Sequence, residues 1–106
     1  MRDGFVKVAA LTPEIKVADC GYNGAKICRL IDEAYGNGAK IMVFPELCIT
    51  GYTCSDLFWQ EKLLAEARHE LRHIIFHTNG KKALIFVGLP WEREGKLYNT
   101  AAAVCD

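Results

Sequence analysis

Two uninterrupted apolar runs, "AKIMVFP" (residues 39–45) and "ALIFVGLP" (residues 83–90), constrain the fold most. A strand with no polar face has no side to offer water, so each run must be covered on both faces as a central strand of a mainly parallel sheet. Parallel neighbours need a crossover connection, and the stretch between the runs is long enough to hold a helix. Upstream, "GFVKVAALTP" (residues 4–13) predicts a first strand that stops before Pro13. Between it and the first apolar run, Ile27, Leu30, Ile31 and Ala34 recur at helical spacing within residues 22–35, and Gly36-Asn37-Gly38 supplies a stop. Strand, helix and strand together predict a right-handed βαβ unit.

Ser55 and Asp56 offer N-cap oxygens to a second helix over roughly residues 57–78, with Leu64, Ala67, Leu71, Ile74 and Ile75 as its apolar stripe and Asn79-Gly80 as its stop. After the strand at 83–90, "WEREGK" reads as a polar turn and "LYNTAAAVCD" as a fourth strand antiparallel to the third. The expected fold is α/β with element order β-α-β-α-β-β. Two helices can cover only one face of such a sheet generously, so a second covering layer is expected from a partner chain or further sequence.

The 106 residues suit one globular unit with a single core. Thirteen basic residues balance thirteen acidic ones and are scattered along the chain, which argues against nucleic acid or an anionic membrane as partner. There is no apolar run of the ~20 residues that span a bilayer and no signal-peptide pattern, so a cytoplasmic location is expected. The five cysteines, Cys20, Cys28, Cys48, Cys54 and Cys105, have no CxxC or zinc-type spacing and read as reduced thiols. Neither a GxGxxG fingerprint nor a GxxxxGK[ST] loop is present, so no nucleotide site is visible.

Glu46 is the leading candidate for chemistry. It follows Pro45 at the carboxyl end of a central strand, where loops on a rigid sheet carry functional groups. Partial desolvation beside Phe44, Leu47 and Tyr52 would raise its pKa and suit a general base. The residues alone favour a solvated turn acid or a helix-capping acid, the usual place of an isolated Pro-Glu dipeptide. Cys48 and Cys54 lie near it in sequence, but no histidine accompanies them, and a buried structural role is expected. His69, His73 and His77 have the i, i+4, i+8 spacing that can hold a metal, yet at ~100° per residue they fall opposite the Leu64/Leu71/Ile75 stripe, on a solvated face. Phe58 and Trp59 could line a pocket or simply pack.

"FPEL" followed by "TGY" resembles the first catalytic motif of the carbon-nitrogen hydrolase (nitrilase) superfamily. Residues 6–58, with "TGYTCSDLF" the most discriminating part, resemble the start of the amino-terminal glutaminase domain of the glutamine-dependent NAD synthetase family, and "LIFVGLP" and "LYNTAAAV" fit the next two strands. The resemblance implies a four-layer αββα sandwich of which this chain supplies the opening portion. It implies that Glu46 is the general base and that Tyr52 lies beside the substrate pocket. In the implied mechanism the glutamate takes a cysteine thiol's proton, and the thiolate attacks the side-chain amide of glutamine while a lysine stabilises the oxyanion. Ammonia leaves, water hydrolyses the thioester, and the ammonia passes to a separate ATP- and magnesium-dependent domain that amidates nicotinic acid adenine dinucleotide to NAD.

The family's lysine and nucleophilic cysteine are implied to lie beyond Asp106. The chain is therefore expected to be an incomplete domain, to hold no cofactor itself, and to lack glutaminase activity alone. Two other readings stay open: part of a stand-alone amidase or carbamoylase of the same superfamily, or a small α/β interaction module that dimerises through its uncovered sheet. A homo-oligomer is expected under either the enzyme or the module reading.

Overall fold

The computed structural model describes residues 6–16, 19–50 and 61–105. The chain runs β1 (Val8–Ala10), α1 (Cys20–Gly36), β2 (Ile41–Val43), α2 (Glu61–His77), β3 (Leu84–Arg93) and β4 (Lys96–Cys105). The expected element order is thus the observed one. The strands form one sheet in the order β1-β2-β3-β4, with β1, β2 and β3 parallel and β4 antiparallel to β3. Because both crossovers step the same way across the sheet and share one hand, both helices fall on the same face.

Helix α1 starts where Asp19 accepts a hydrogen bond from the backbone N–H of Tyr22 at 3.1 Å, an N-cap that the periodicity alone did not locate. Its buried side, Ile27, Cys28, Ile31 and Ala34, meets Leu63, Ala67 and Ile74 of α2 over the inward side chains Met42, Ile85, Val87, Leu89 and Val104. This is the single core. Strand β2 stops short of its apolar run, because Pro45 has no N–H to continue the ladder.

Three expectations need correction. "WEREGK" is not a broad turn: β3 continues through Arg93, and the reversal is the two-residue pair Glu94 (φ 53°) and Gly95 (φ 77°), both left-handed, between the paired Arg93 and Lys96. Two positive-φ residues match the twist of the flanking strands, which is why so short a loop suffices. Ile75 does not join the buried stripe of α2: it is 47% exposed, and neighbouring Phe76 is 80% exposed. Ile74, just before them, faces inward as expected, and Leu71 is only partly buried. His77, expected in solvent, is half-buried, and its Nε2 lies 2.9 Å from Asp32 Oδ1 on α1. The expected N-cap at Ser55 or Asp56, with Phe58 and Trp59, lies outside the described residues.

The opposite face of the sheet has no covering layer among the described residues. Val8 is 59% exposed and Val43 42% exposed there, beside half-buried Phe86 and exposed Ala101 and Ala103. Among the described residues, then, one helical layer covers one face of the sheet and leaves an apolar outer face.

Candidate active site

The strand that delivers Glu46 ends in an abrupt turn whose backbone stays pinned to β3. Phe44 N–H donates to Phe86 O at 3.0 Å, and Ile49 N–H donates to Gly88 O at 3.1 Å. Between those bonds, residues 45–48 arch directly over Gly88. A Cβ at position 88 would overlap Leu47 N and stand 2.8 Å from Pro45 O and 2.9 Å from the carbonyl carbon of Glu46. Only glycine lets the two backbones approach this closely. Leu47 adopts φ 52°, an unfavourable conformation for a bulky side chain that the surrounding contacts sustain.

Buried groups hold the arch from beneath. Asn23 on α1, fully buried, donates from Nδ2 to Ile49 O at 2.7 Å and to Lys16 O at 2.8 Å, and its Oδ1 accepts from Lys16 N–H at 2.8 Å. One side chain therefore ties α1 and the segment before it to the turn after Glu46. The Cys48 sulfur, also fully buried, accepts from Gly88 N–H at 3.4 Å and donates to Gly88 O at 3.7 Å.

Glu46 itself is exposed, so the partial desolvation expected from its apolar sequence neighbours does not occur: Phe44, Leu47 and Cys48 turn into the core and leave the carboxylate outside. Its Oε2 accepts a hydrogen bond from Asn99 Nδ2 at 3.1 Å. The pair borders a hollow of about 420 Å³ on the open side of the sheet, lined by Val43, Pro45, Phe86, Gly88 and Thr100 among others. Apolar walls with a carboxylate and an amide at the rim suit a small polar molecule carrying an apolar stem.

Cys48 and Cys28 are not arranged as nucleophiles. Burial pushes the Cys48 thiol up to about 11, against the lowering effect of the Gly88 backbone hydrogen bond. Burial likewise pushes the Cys28 thiol up to about 11, helped by the nearby Asp32 and Glu70 carboxylates and opposed by Lys81. Cys54 and Tyr52 lie outside the described residues. Among the described residues no three His, Cys, Asp or Glu side chains gather to hold a metal: His69 and His73 are exposed, and His77 is engaged with Asp32. No helix of the described residues is long and apolar enough to cross a membrane.

Sequence reasoning found Glu46 but missed Asn99, Gly88 and Asn23. Two of them left a trace: Gly88 interrupts an apolar strand, a mark of close backbone approach, and Asn99 is a poor strand former inside "LYNTAAAV". Asn23 left none, since a polar residue in an amphipathic helix reads as surface until its partners are known.

The model of the carbon-nitrogen hydrolase family matches residues 7–105. The glutamine-dependent NAD(+) synthetase of Mycobacterium leprae (strain TN) is 31% identical over 101 residues, which is 95% of this chain and 15% of that protein. The chain thus spans about 15% of the length of such curated relatives. The crystal structure of a glutamine-dependent NAD(+) synthetase from Cytophaga hutchinsonii superposes with a TM-score of 0.86 at 28% identity, over 93% of this chain and 17% of that one. An amidase from Nesterenkonia sp. superposes with a TM-score of 0.79 at 23% identity, over 99% of this chain and 40% of that one, a likeness of fold.

Proposed function

Because the chain belongs to the carbon-nitrogen hydrolase family, we propose that it forms the general-base portion of a glutamine-hydrolysing site, within a protein of the glutamine-dependent NAD synthetase type. The observation that carries this reading is Glu46, held at the end of a central strand by a turn that Gly88, Asn23 and Cys48 fasten, in a chain similar over nearly its whole length to such synthetases. In the proposed reaction Glu46 takes a thiol proton, and the thiolate attacks the side-chain amide carbon of glutamine. The tetrahedral intermediate collapses as Glu46 passes that proton to the departing nitrogen and ammonia leaves, and water then cleaves the thioester to glutamate and frees the thiol.

A nucleophile must reach its thiolate near neutral pH, and Cys28 and Cys48, with thiols at about 11, are tuned the other way. Following the family resemblance, the proposal places the nucleophile and the oxyanion-stabilising lysine outside these 106 residues. By the same family resemblance, ATP and magnesium are assigned to a separate synthetase domain that consumes the ammonia. The reaction steps above do not involve them.

The test is glutamate release from glutamine by the protein as its gene encodes it. Glu46→Gln should lower kcat by about 10³-fold, the scale of a general base. The 106-residue chain alone should give only background, since a base without its nucleophile has nothing to activate. Glutaminase activity surviving Glu46→Gln within a few-fold would overturn the assignment of the base. Enzyme-proportional release by the 106-residue chain, abolished by Glu46→Gln, would overturn the need for outside groups.

A further inference from the structure

We propose that Asn99 is the positioning residue for Glu46: its side-chain amide holds one carboxylate oxygen in place and leaves the other free to receive the proton. The inference rests on the glutaminase reading for its chemistry, and on the geometry of β4 for its structure.

An exposed glutamate has three side-chain torsions and, unrestrained, samples many rotamers, whereas a base must meet its proton at hydrogen-bond distance in one of them. Something must select that rotamer. Within the described residues, the hydrogen bond to the Glu46 carboxylate comes from Asn99 Nδ2, 3.1 Å from Oε2. The donor is neutral. A lysine or arginine there would make an ion pair with the carboxylate and weaken it as a base, while an amide restricts its orientation at smaller electrostatic cost.

Asn99 is itself well placed to act as a fixed point. It stands opposite Pro90 in the β3–β4 ladder, and the next residue, Thr100, donates from Oγ1 to Leu89 O at 2.7 Å, which fastens this end of β4 to β3. The tight Glu94-Gly95 reversal sets the register that brings residue 99 to this point. Because side chains alternate along a strand, a slip of one residue would send Asn99 to the helix side of the sheet, away from Glu46. The hairpin is therefore part of the catalytic apparatus, although it contributes no reacting atom.

The test uses the protein as its gene encodes it, carrying Asn99→Asp, Asn99→Gln or Glu46→Gln. Asn99→Asp keeps the shape but replaces the donor with a like charge. It should lower kcat for glutamine by about 10- to 100-fold, the scale of misplacing a reacting group by about 1 Å, with KM within about twofold and the melting temperature unchanged. Asn99→Gln keeps a donor and should recover most of the rate. An activity-independent readout separates this inference from the glutaminase reading: the Asn99 side-chain amide resonances in an ¹⁵N–¹H spectrum should move on Glu46→Gln. Unmoved resonances overturn the inference whether or not glutamine is hydrolysed. Full activity of Asn99→Asp alongside an inactive Glu46→Gln overturns it while leaving the glutaminase reading intact. Moved resonances in a protein that does not hydrolyse glutamine uphold the Asn99–Glu46 pairing and reject the glutaminase reading instead.

Discussion

At the scale of single residues, the thiols of Cys28 and Cys48 link stability to pH. Both are enclosed, and both are pushed from an ordinary 9.0 to about 11, chiefly by burial. Below pH 9 both states carry the proton and nothing is lost. Between 9 and 11 the unfolded thiols ionise while the folded ones do not, so the unfolded state is favoured progressively as pH rises. The urea midpoint should hold steady up to about pH 8.5 and fall from 9 to 11, by the equivalent of about 2–3 kcal/mol per thiol at most. The fall should be smaller in a Cys28→Ala/Cys48→Ala variant, and an equal fall in that variant would remove the thiols as its cause. The burial of Cys48 was legible beforehand from the lack of any activating neighbour. The exposure of Glu46 matches the solvated reading its sequence allowed, and the desolvated one failed because sequence neighbours do not reveal which side chains turn inward at an irregular turn.

At the scale of elements, the join between α1 and the turn after Glu46 rests on one side chain. Asn23→Leu would leave Lys16 N–H, Lys16 O and Ile49 O without their buried partner. The expected cost is about 2–3 kcal/mol of stability, read from urea unfolding, because a buried polar group that loses its partner is charged its full desolvation. Glutamine turnover should fall as well, since the arch beneath Glu46 loosens. An unchanged unfolding midpoint would show that water replaces the amide without loss. The two helices and four strands were legible from apolar period and turn residues. The sharp hairpin was misread because "WEREGK" is polar throughout, and polarity does not distinguish a turn from the end of an exposed two-stranded ribbon. Ile75 was misread for a related reason: a helical stripe is about 100° wide, and only the packing partner fixes its edge.

At the scale of the whole molecule, the sheet is covered on one side and, among the described residues, bare on the other. Val8 and Val43 are exposed on the bare face, and Ile75 and Phe76 add apolar surface near Val104 and Cys105 at another edge. Apolar patches of this kind drive association. The 106-residue chain produced alone is expected to elute as dimers or larger species in size exclusion with light scattering, increasingly so with concentration. Charged substitutions at Val8 and Val43 should shift it toward monomer. A sharp monomer peak with cooperative unfolding would mean that the bare face is stable in water.

By itself the sequence determined the α/β class, the element order, the single core, the candidacy of Glu46 and the family, since periodicity, turn chemistry and a short contiguous motif are local properties of the chain. The tertiary structure decided the rest: that both helices share a face, that Gly88 admits the arch, that Asn23 fastens it, and that Asn99 meets Glu46 from 53 residues away. Each of these is a contact between distant segments, set by strand register and backbone approach, and neither quantity is written in the residues on one side of the contact.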